Sequence, residues 1–238
     1  MRSGQAVHFS RSPNTVMNLQ SLLPTAALLT LLLGGAATAA DSPEPAPAPK
    51  PVRHFNQLGS AAAPVMLLEF TDLQCPYCAR HALETFPQLK RDYIDTGKVQ
   101  YASRDLPLER HAHAFPAAVA SRCAGEQGKF WEFRHALFAQ QDALASEPYA
   151  RIAGELGLDV ERLEACRKDG RQADNVRADM ALAQLSSISG TPSFVLGRIV
   201  NDEFVGETFS GAKPYETFKA KIDALLLQAA APAPQAAK

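Results

Sequence analysis

The chain has 238 residues, 46% of them hydrophobic, enough to bury a sizeable core as one enlarged domain with no need of a disulfide scaffold. Its formal charge of -1 comes from 24 Lys and Arg against 25 Asp and Glu, with no basic cluster, which argues against a nucleic-acid partner. The four cysteines, Cys75, Cys78, Cys123 and Cys166, are an even set that leaves three pairings open.

The first forty residues contain no Asp or Glu and carry an apolar stretch around Leu22, Leu23 and Ala26 to Leu33, then small residues from Gly34 to Ala40. Residues 1–40 therefore read as an export signal peptide cleaved after Ala39 or Ala40. Arg2 and Arg11 lie well upstream of the apolar run, so a start at Met17 is an alternative. Pro24 and the Ala, Gly and Thr content disfavour a membrane anchor, which needs about 20 apolar residues. Export to the periplasm would place the cysteines where disulfides persist. Residues 41–51 alternate Pro with Ala and Glu and read as an extended linker, so the folded part begins near Val52.

Val65 to Phe70 is an apolar run of strand length, and Cys75 to Thr96 carries Ala79, Leu83, Phe86 and Leu89 at helical spacing with a bend expected before Pro87. Lys98 to Arg104 alternates around Val99, Tyr101 and Ser103, a second strand parallel to the first through a βαβ crossover. From about 112 to 189 the pattern is nearly continuous helix, broken at Gly125, Gly128, Pro148, Gly157 and Gly170, with Asp159 placed as an N-cap. Ser193 to Leu196 and Ile199 to Val205 then read as a hairpin around Gly197-Arg198. Pro214 opens a last helix with Phe218, Ile222 and Leu225 inward, and residues 229–238 read as a frayed tail.

Cys75-Pro76-Tyr77-Cys78 follows the first strand directly. With a helix starting at Pro76, both thiols lie on one face of its first turn, close enough for a disulfide to open and close. The helix start offers unpaired N–H groups and the positive end of the dipole, which lower the Cys75 pKa. Cys75 is the expected exposed nucleophile and Cys78 the buried thiol that resolves a mixed disulfide. Tyr77 carries no charge near neutral pH, which places the couple between the strongly oxidising value of about -120 mV and the reducing value of about -270 mV. A zinc site is disfavoured, because Cys123 and Cys166 lack ligand spacing, and the sulfur pair carries both electrons without a small-molecule cofactor.

In this order the elements, with Glu69 to Cys78, Gly128-Lys129-Phe130-Trp131-Glu132-Phe133 and Gly190-Thr191-Pro192-Ser193-Phe194, resemble the DsbA-like branch of the thioredoxin superfamily. The resemblance covers roughly residues 52–228 and implies an α/β thioredoxin fold with an inserted helical domain (about 112–189). It implies that Pro192 is cis, and that its loop, with Thr191, faces the cysteine pair and binds an extended peptide beside Tyr77. It also supports Glu69, six residues before Cys75, as an acid that shuttles the Cys78 proton. Read as an unpaired carboxylate on a strand buried on both faces, Glu69 would hold a raised pKa.

Cys123 shares a helix face with Val119, and Cys166 with Leu163, so bonding them would brace the insertion. His111 and His113 read as residues of a solvated loop, and Phe130, Trp131 and Phe133 as insertion core. The expected activity is thiol-disulfide exchange with unfolded or partly oxidised exported proteins, through a monomer recycled by a membrane redox partner. A reductase or isomerase held reduced by a membrane donor, or a peptide-binding chaperone, are the rival readings.

Overall fold

The computed structural model describes residues 55–200 and 203–230 together with the backbone of 6–10; apart from that short segment, the expected signal peptide, the linker and the tail from 231 on lie outside the described residues. Among the described residues six strands, β1 (Ala6–Ser10), β2 (Gln57–Leu58), β3 (Val65–Thr71), β4 (Val99–Asp105), β5 (Ser193–Val200) and β6 (Glu203–Ser210), form one sheet in the order β1-β6-β5-β3-β4-β2. Among the described residues only β3 and β4 run parallel; the other neighbours are antiparallel.

Central β3 explains why its sequence is so uniformly apolar. Alternate residues point to opposite faces of a strand, and both faces here are covered. Val65 and Leu67 pack with Leu89, Tyr93, Phe194, Phe218 and Ile222, under the crossover helix and the last helix, Tyr215–Ala230. Leu68 and Phe70 pack on the other face with Ala183 and Ile188, at the end of the helix Arg171–Leu185. Glu69 belongs by parity to the first face, and it is the charged member of that strand.

The crossover helix spans 76–94 and is not uniform. α-Helical Pro76–Arg80 and Phe86–Leu89 are each followed by a π turn, His81–Thr85 and Lys90–Ile94. Pro87 has no N–H to donate and its ring crowds the preceding turn, so the wider turn before it relieves both problems. This extra residue rotates the helix face. Leu83, expected inward at a 3.6-residue period, is 37% exposed, while His81, Ala82 and Thr85 are buried.

The helical insertion comprises Ala114–Gly125, Phe130–Ala139, the 3-10 turn Gln141–Ser146, Tyr149–Glu155, Val160–Lys168 and Arg171–Leu185. The Asp159 side chain caps the fifth of these, accepting from the Arg162 N–H at 2.9 Å. Cys123 and Cys166 are joined by a disulfide with Cα atoms 5.7 Å apart inside this core. Leu73, Cys75, Cys78, Ala79 and Ala82 belong to the same apolar cluster, so the Cys-x-x-Cys turn is packed into the insertion. Trp131 departs from the expected insertion core: it packs on the sheet-side cluster, stacked 5.5 Å from Phe86.

Two boundaries differ from the sequence reading. The hairpin does not turn at Gly197-Arg198, because β5 continues through to Val200 and β6 begins at Glu203. Gly197 pairs with Gly206 across the ladder, and a Cβ at 197 would lie 2.1 Å from the Val205 carbonyl oxygen, so this glycine serves close backbone approach rather than a turn. The last helix runs to Ala230, two residues into the segment expected to fray.

Candidate active site

Cys75 is the N-cap of the crossover helix with φ -77° and ψ 122°, and Pro76 takes the first helical position, where a missing N–H costs nothing. A turn precedes it: the Cys75 N–H donates to the Asp72 carbonyl at 3.1 Å, and the Gln74 N–H donates to the Asp72 carboxylate at 2.7 Å. The Cys75 sulfur lies 3.5 Å from the Thr191 carbonyl oxygen, across 116 residues of chain, and the Thr191-Pro192 peptide bond is cis. Thr191, Pro192, Cys75 and Cys78 thus meet at one end of the sheet. Tyr77 stands over them, 57% exposed, with the Arg80 guanidinium 5.4 Å from its ring centre.

Cys75 is not the exposed thiol that the sequence suggested. It is 2% exposed and Cys78 fully buried, because the cis-proline loop and the insertion close over the turn. What separates the two sulfurs is electrostatics. The Cys75 thiol is lowered from 9.0 to about 5, chiefly by the hydrogen bond from the Cys78 thiol, with help from the N–H groups of Cys78 and Tyr77 at the helix start and from Thr191, against the opposing effect of burial. Cys78 is pushed well above its ordinary value by burial first, then by the Cys75 sulfur and the negative charge of Glu69. One sulfur is held as the thiolate and the other as the protonated thiol.

Beneath Cys78 lies a buried polar cluster. Glu69 is fully buried but not unpaired, as had been expected: its Oε2 accepts from Arg134 Nη2 at 2.5 Å and from the Tyr101 hydroxyl at 2.7 Å. Arg134 comes from the insertion helix Phe130–Ala139, where its guanidinium lies 4.8 Å from the Phe138 ring centre. Tyr101 reaches Glu69 because it stands on the same face of the neighbouring parallel strand, paired with Leu67 two residues earlier. With its O–H donating to Glu69, the Tyr101 oxygen accepts from His81 Nε2 at 3.2 Å, which fixes that ring's tautomer. Burial lowers the His81 pKa to about 4, so the ring is neutral near pH 7. Glu69 Oε1 and His81 Nδ1 are buried without a hydrogen-bond partner.

A second set of contacts bolts the turn from the other side. Asp72, buried, accepts from the Leu108 N–H at 2.8 Å and from His111 Nδ1 at 2.7 Å, and Gln74 accepts from the His113 N–H at 2.7 Å. His111 therefore does not sit in a solvated loop: its ring is spoken for by Asp72. The residues missed in the sequence are His81, Tyr101, Arg134 and Asp72. Arg134 alone carried a signal, as a charge on the helix face shared by Phe130, Leu137 and Phe138.

A thioredoxin family model matches residues 53–224. The chain belongs to the thioredoxin family. Within it the solved structure of α-DsbA1 from Wolbachia pipientis superposes with a TM-score of 0.66 at 28% identity, covering 73% of this chain and 92% of that one. Oxidised BdbD from Bacillus subtilis gives 0.61 at 26% identity, covering 72% and 92%. The thioredoxin fold with its inserted helices makes this family member DsbA-like in architecture, with Cys75 and Cys78 at the start of its crossover helix. Among curated relatives, a Na(+)/H(+) antiporter NhaA 3 from Salinispora tropica is 38% identical over 156 residues, 65% of this chain. The chain spans 23% of that relative's length.

Proposed function

We propose that the protein is an exported oxidase that donates its Cys75–Cys78 disulfide to unfolded or partly oxidised proteins of the periplasm and is re-oxidised by a membrane redox partner. What supports the direction is the place of Cys75 at the N-cap of the crossover helix, where the Cys78 thiol and the N–H groups of Cys78 and Tyr77 converge on its sulfur and lower its pKa to about 5. Whatever stabilises the thiolate stabilises the reduced protein, and a couple with a stabilised reduced form is the stronger oxidant. The apolar stretch ahead of Gly34 to Ala40 supports export.

The exchange balances as follows. A client thiolate attacks the Cys75 sulfur of the disulfide, and the Cys75–Cys78 bond breaks with its electron pair leaving on Cys78. The Cys78 sulfur, whose pKa is raised, takes up from solvent the proton that the attacking client thiol released there. A second client thiolate then attacks the mixed disulfide at the client sulfur and expels Cys75, whose low pKa makes it a good leaving group. The client leaves with a disulfide and the protein with two electrons. Thr191 beside the Cys75 sulfur offers the backbone against which an extended client segment docks, with Tyr77 exposed at the rim.

Equilibration of the purified protein with glutathione buffers tests this reading. A potential more oxidising than about -200 mV, yet short of about -120 mV, is expected. A value near or below about -270 mV would mark a reductase and overturn the proposed direction. A Cys78→Ala variant expressed in cells should trap mixed disulfides of exported clients on Cys75.

A further inference from the structure

We propose that Gln141, at the start of the 3-10 turn Gln141–Ser146, is a positioning residue of the redox pair, its side-chain amide clamping the carbonyls of Leu73 and Cys75 on either side of the step into the helix. Its Nε2 donates to the Leu73 oxygen at 2.7 Å and to the Cys75 oxygen at 3.0 Å. Both acceptors are carbonyls, so only the NH2 end of the amide can face them, and the orientation of the side chain is fixed by chemistry.

This contact comes from outside the turn and outside the crossover helix. The backbone groups of the turn are otherwise satisfied locally: Cys75 N–H on the Asp72 carbonyl, Gln74 N–H on the Asp72 carboxylate, and Cys75 oxygen shared with the Ala79 N–H at 3.1 Å. The Asp72 and Gln74 side chains reach the Leu108 and His113 N–H groups ahead of the insertion's first helix, but they leave the Cys75 carbonyl untouched. Gln141 is the insertion side chain that grips the very oxygen whose direction is set by the Cys75 ψ of 122°.

That angle matters for the sulfur. The N–H groups of Tyr77 and Cys78 point back toward the N-cap residue only while Cys75 keeps its extended, half-in geometry at the helix start. Let the carbonyl swing and the helix loses its first turn, the N–H groups drift from the sulfur, and the thiolate loses donors that hold it ionised. The amide's own NH2 dipole adds a positive end beside the turn. By this route the inserted helices set the reactivity of a thiol carried by the sheet domain.

The inference rests on the proposed exchange activity for its biological meaning, but its test does not. Two variants are compared with the wild type: Gln141→Met, of similar length without a donor, and Gln141→Lys, which restores one. Three readouts are taken on each: thiolate absorbance of Cys75 against pH, the equilibrium with glutathione, and the thermal midpoint. Gln141→Met should raise the Cys75 pKa by about one unit and move the glutathione equilibrium about tenfold toward the disulfide form. Gln141→Lys should return both readouts to the wild-type value or beyond it. The positioning role is overturned when Gln141→Met titrates and equilibrates as the wild type does, or when Gln141→Lys is displaced as far as Gln141→Met. A lowered thermal midpoint with an unshifted titration would mark a merely structural residue and overturn it too. If the wild type fails to equilibrate with glutathione, the exchange reading falls while the titrations still decide the role of Gln141.

Discussion

Cys75 and Cys78 are 2% and 0% exposed, and Cys123 and Cys166 are 1% and 6%, so burial does not separate the redox pair from the brace. Their backbone surroundings do. Cys75 sits at a helix start, where N–H groups are uncommitted and converge on its sulfur. Cys123 and Cys166 lie inside the helices Ala114–Gly125 and Val160–Lys168, whose N–H groups are spent on the helical ladder, among apolar neighbours. The span differs too. The brace closes 43 residues and constrains the unfolded chain heavily, whereas a bridge across one helical turn constrains little beyond what the turn already fixes. A thiol's chemistry here follows from the donors around it, and exposure is no guide.

The widest break in this comparison comes from removing the brace. Cys123→Ala with Cys166→Ala should cost about 4 kcal/mol of unfolding free energy, from the chain-entropy model for a loop of this size. Urea unfolding of the wild type and the double variant measures it. Exchange with a model disulfide at 25 °C should remain within about twofold of wild type where the variant is folded, since neither sulfur touches the pair and about 0.4 kcal/mol of barrier is all that twofold represents. A folded double variant with no exchange would make the second pair a redox centre and erase the contrast.

The next effect concerns the insertion's grip on Glu69. Arg134→Met removes one partner of a buried ion pair and leaves a fully buried carboxylate with only the Tyr101 hydroxyl. Breaking such a pair costs about 3 kcal/mol, while replacing both partners by apolar or neutral groups is often close to neutral. Arg134→Met combined with Glu69→Gln should therefore recover at least half of the stability that Arg134→Met loses. Denaturant melts of the two variants settle it; no recovery would mean that Arg134 matters through its stacking on Phe138 and Trp131 and not through Glu69.

Such pairings mark where the sequence stops being readable. The strand-helix-strand order, the N-cap at Asp159 and the Cys-x-x-Cys at a helix start rest on local spacing, and local spacing is written in the chain. Glu69 could be singled out as a charge in an apolar strand, but its partner Arg134 lies 65 residues away and is brought by the insertion. Leu83 and His81 exchanged faces because a π turn adds one residue to a period that a helical pattern assumes constant. Gly197 looked like a turn because glycine has two uses, a left-handed backbone and a missing Cβ, and only the facing strand decides between them. Gln141 carried no signal: an amide beside a helix end is ordinary until the carbonyls it meets are known.

The effect with the smallest increment per step of the measurement is the most specific to the redox pair, because the brace has no proton to lose. In the reduced protein Cys75 is lowered from 9.0 to about 5. Between those limits the unfolded chain keeps a proton that the folded one has released, so the stability of the reduced form rises with pH, and this contribution is lost as pH falls through about 5. For one proton the slope is at most about 1.4 kcal/mol per pH unit. Cys78, raised in the fold, retains its proton and acts only above pH about 9, in the opposite sense. The oxidised form has neither thiol, so subtracting its stability from that of the reduced form at each pH cancels every carboxylate common to both. The same proton count governs the potential. From pH 5 to 8 reduction by two electrons should take up one proton and the potential should fall by about 30 mV per pH unit, steepening to about 59 mV below pH 5. A slope of about 59 mV throughout would mean that Cys75 holds its proton like any thiol in water, and the distinction between the two pairs would then lie in loop length alone.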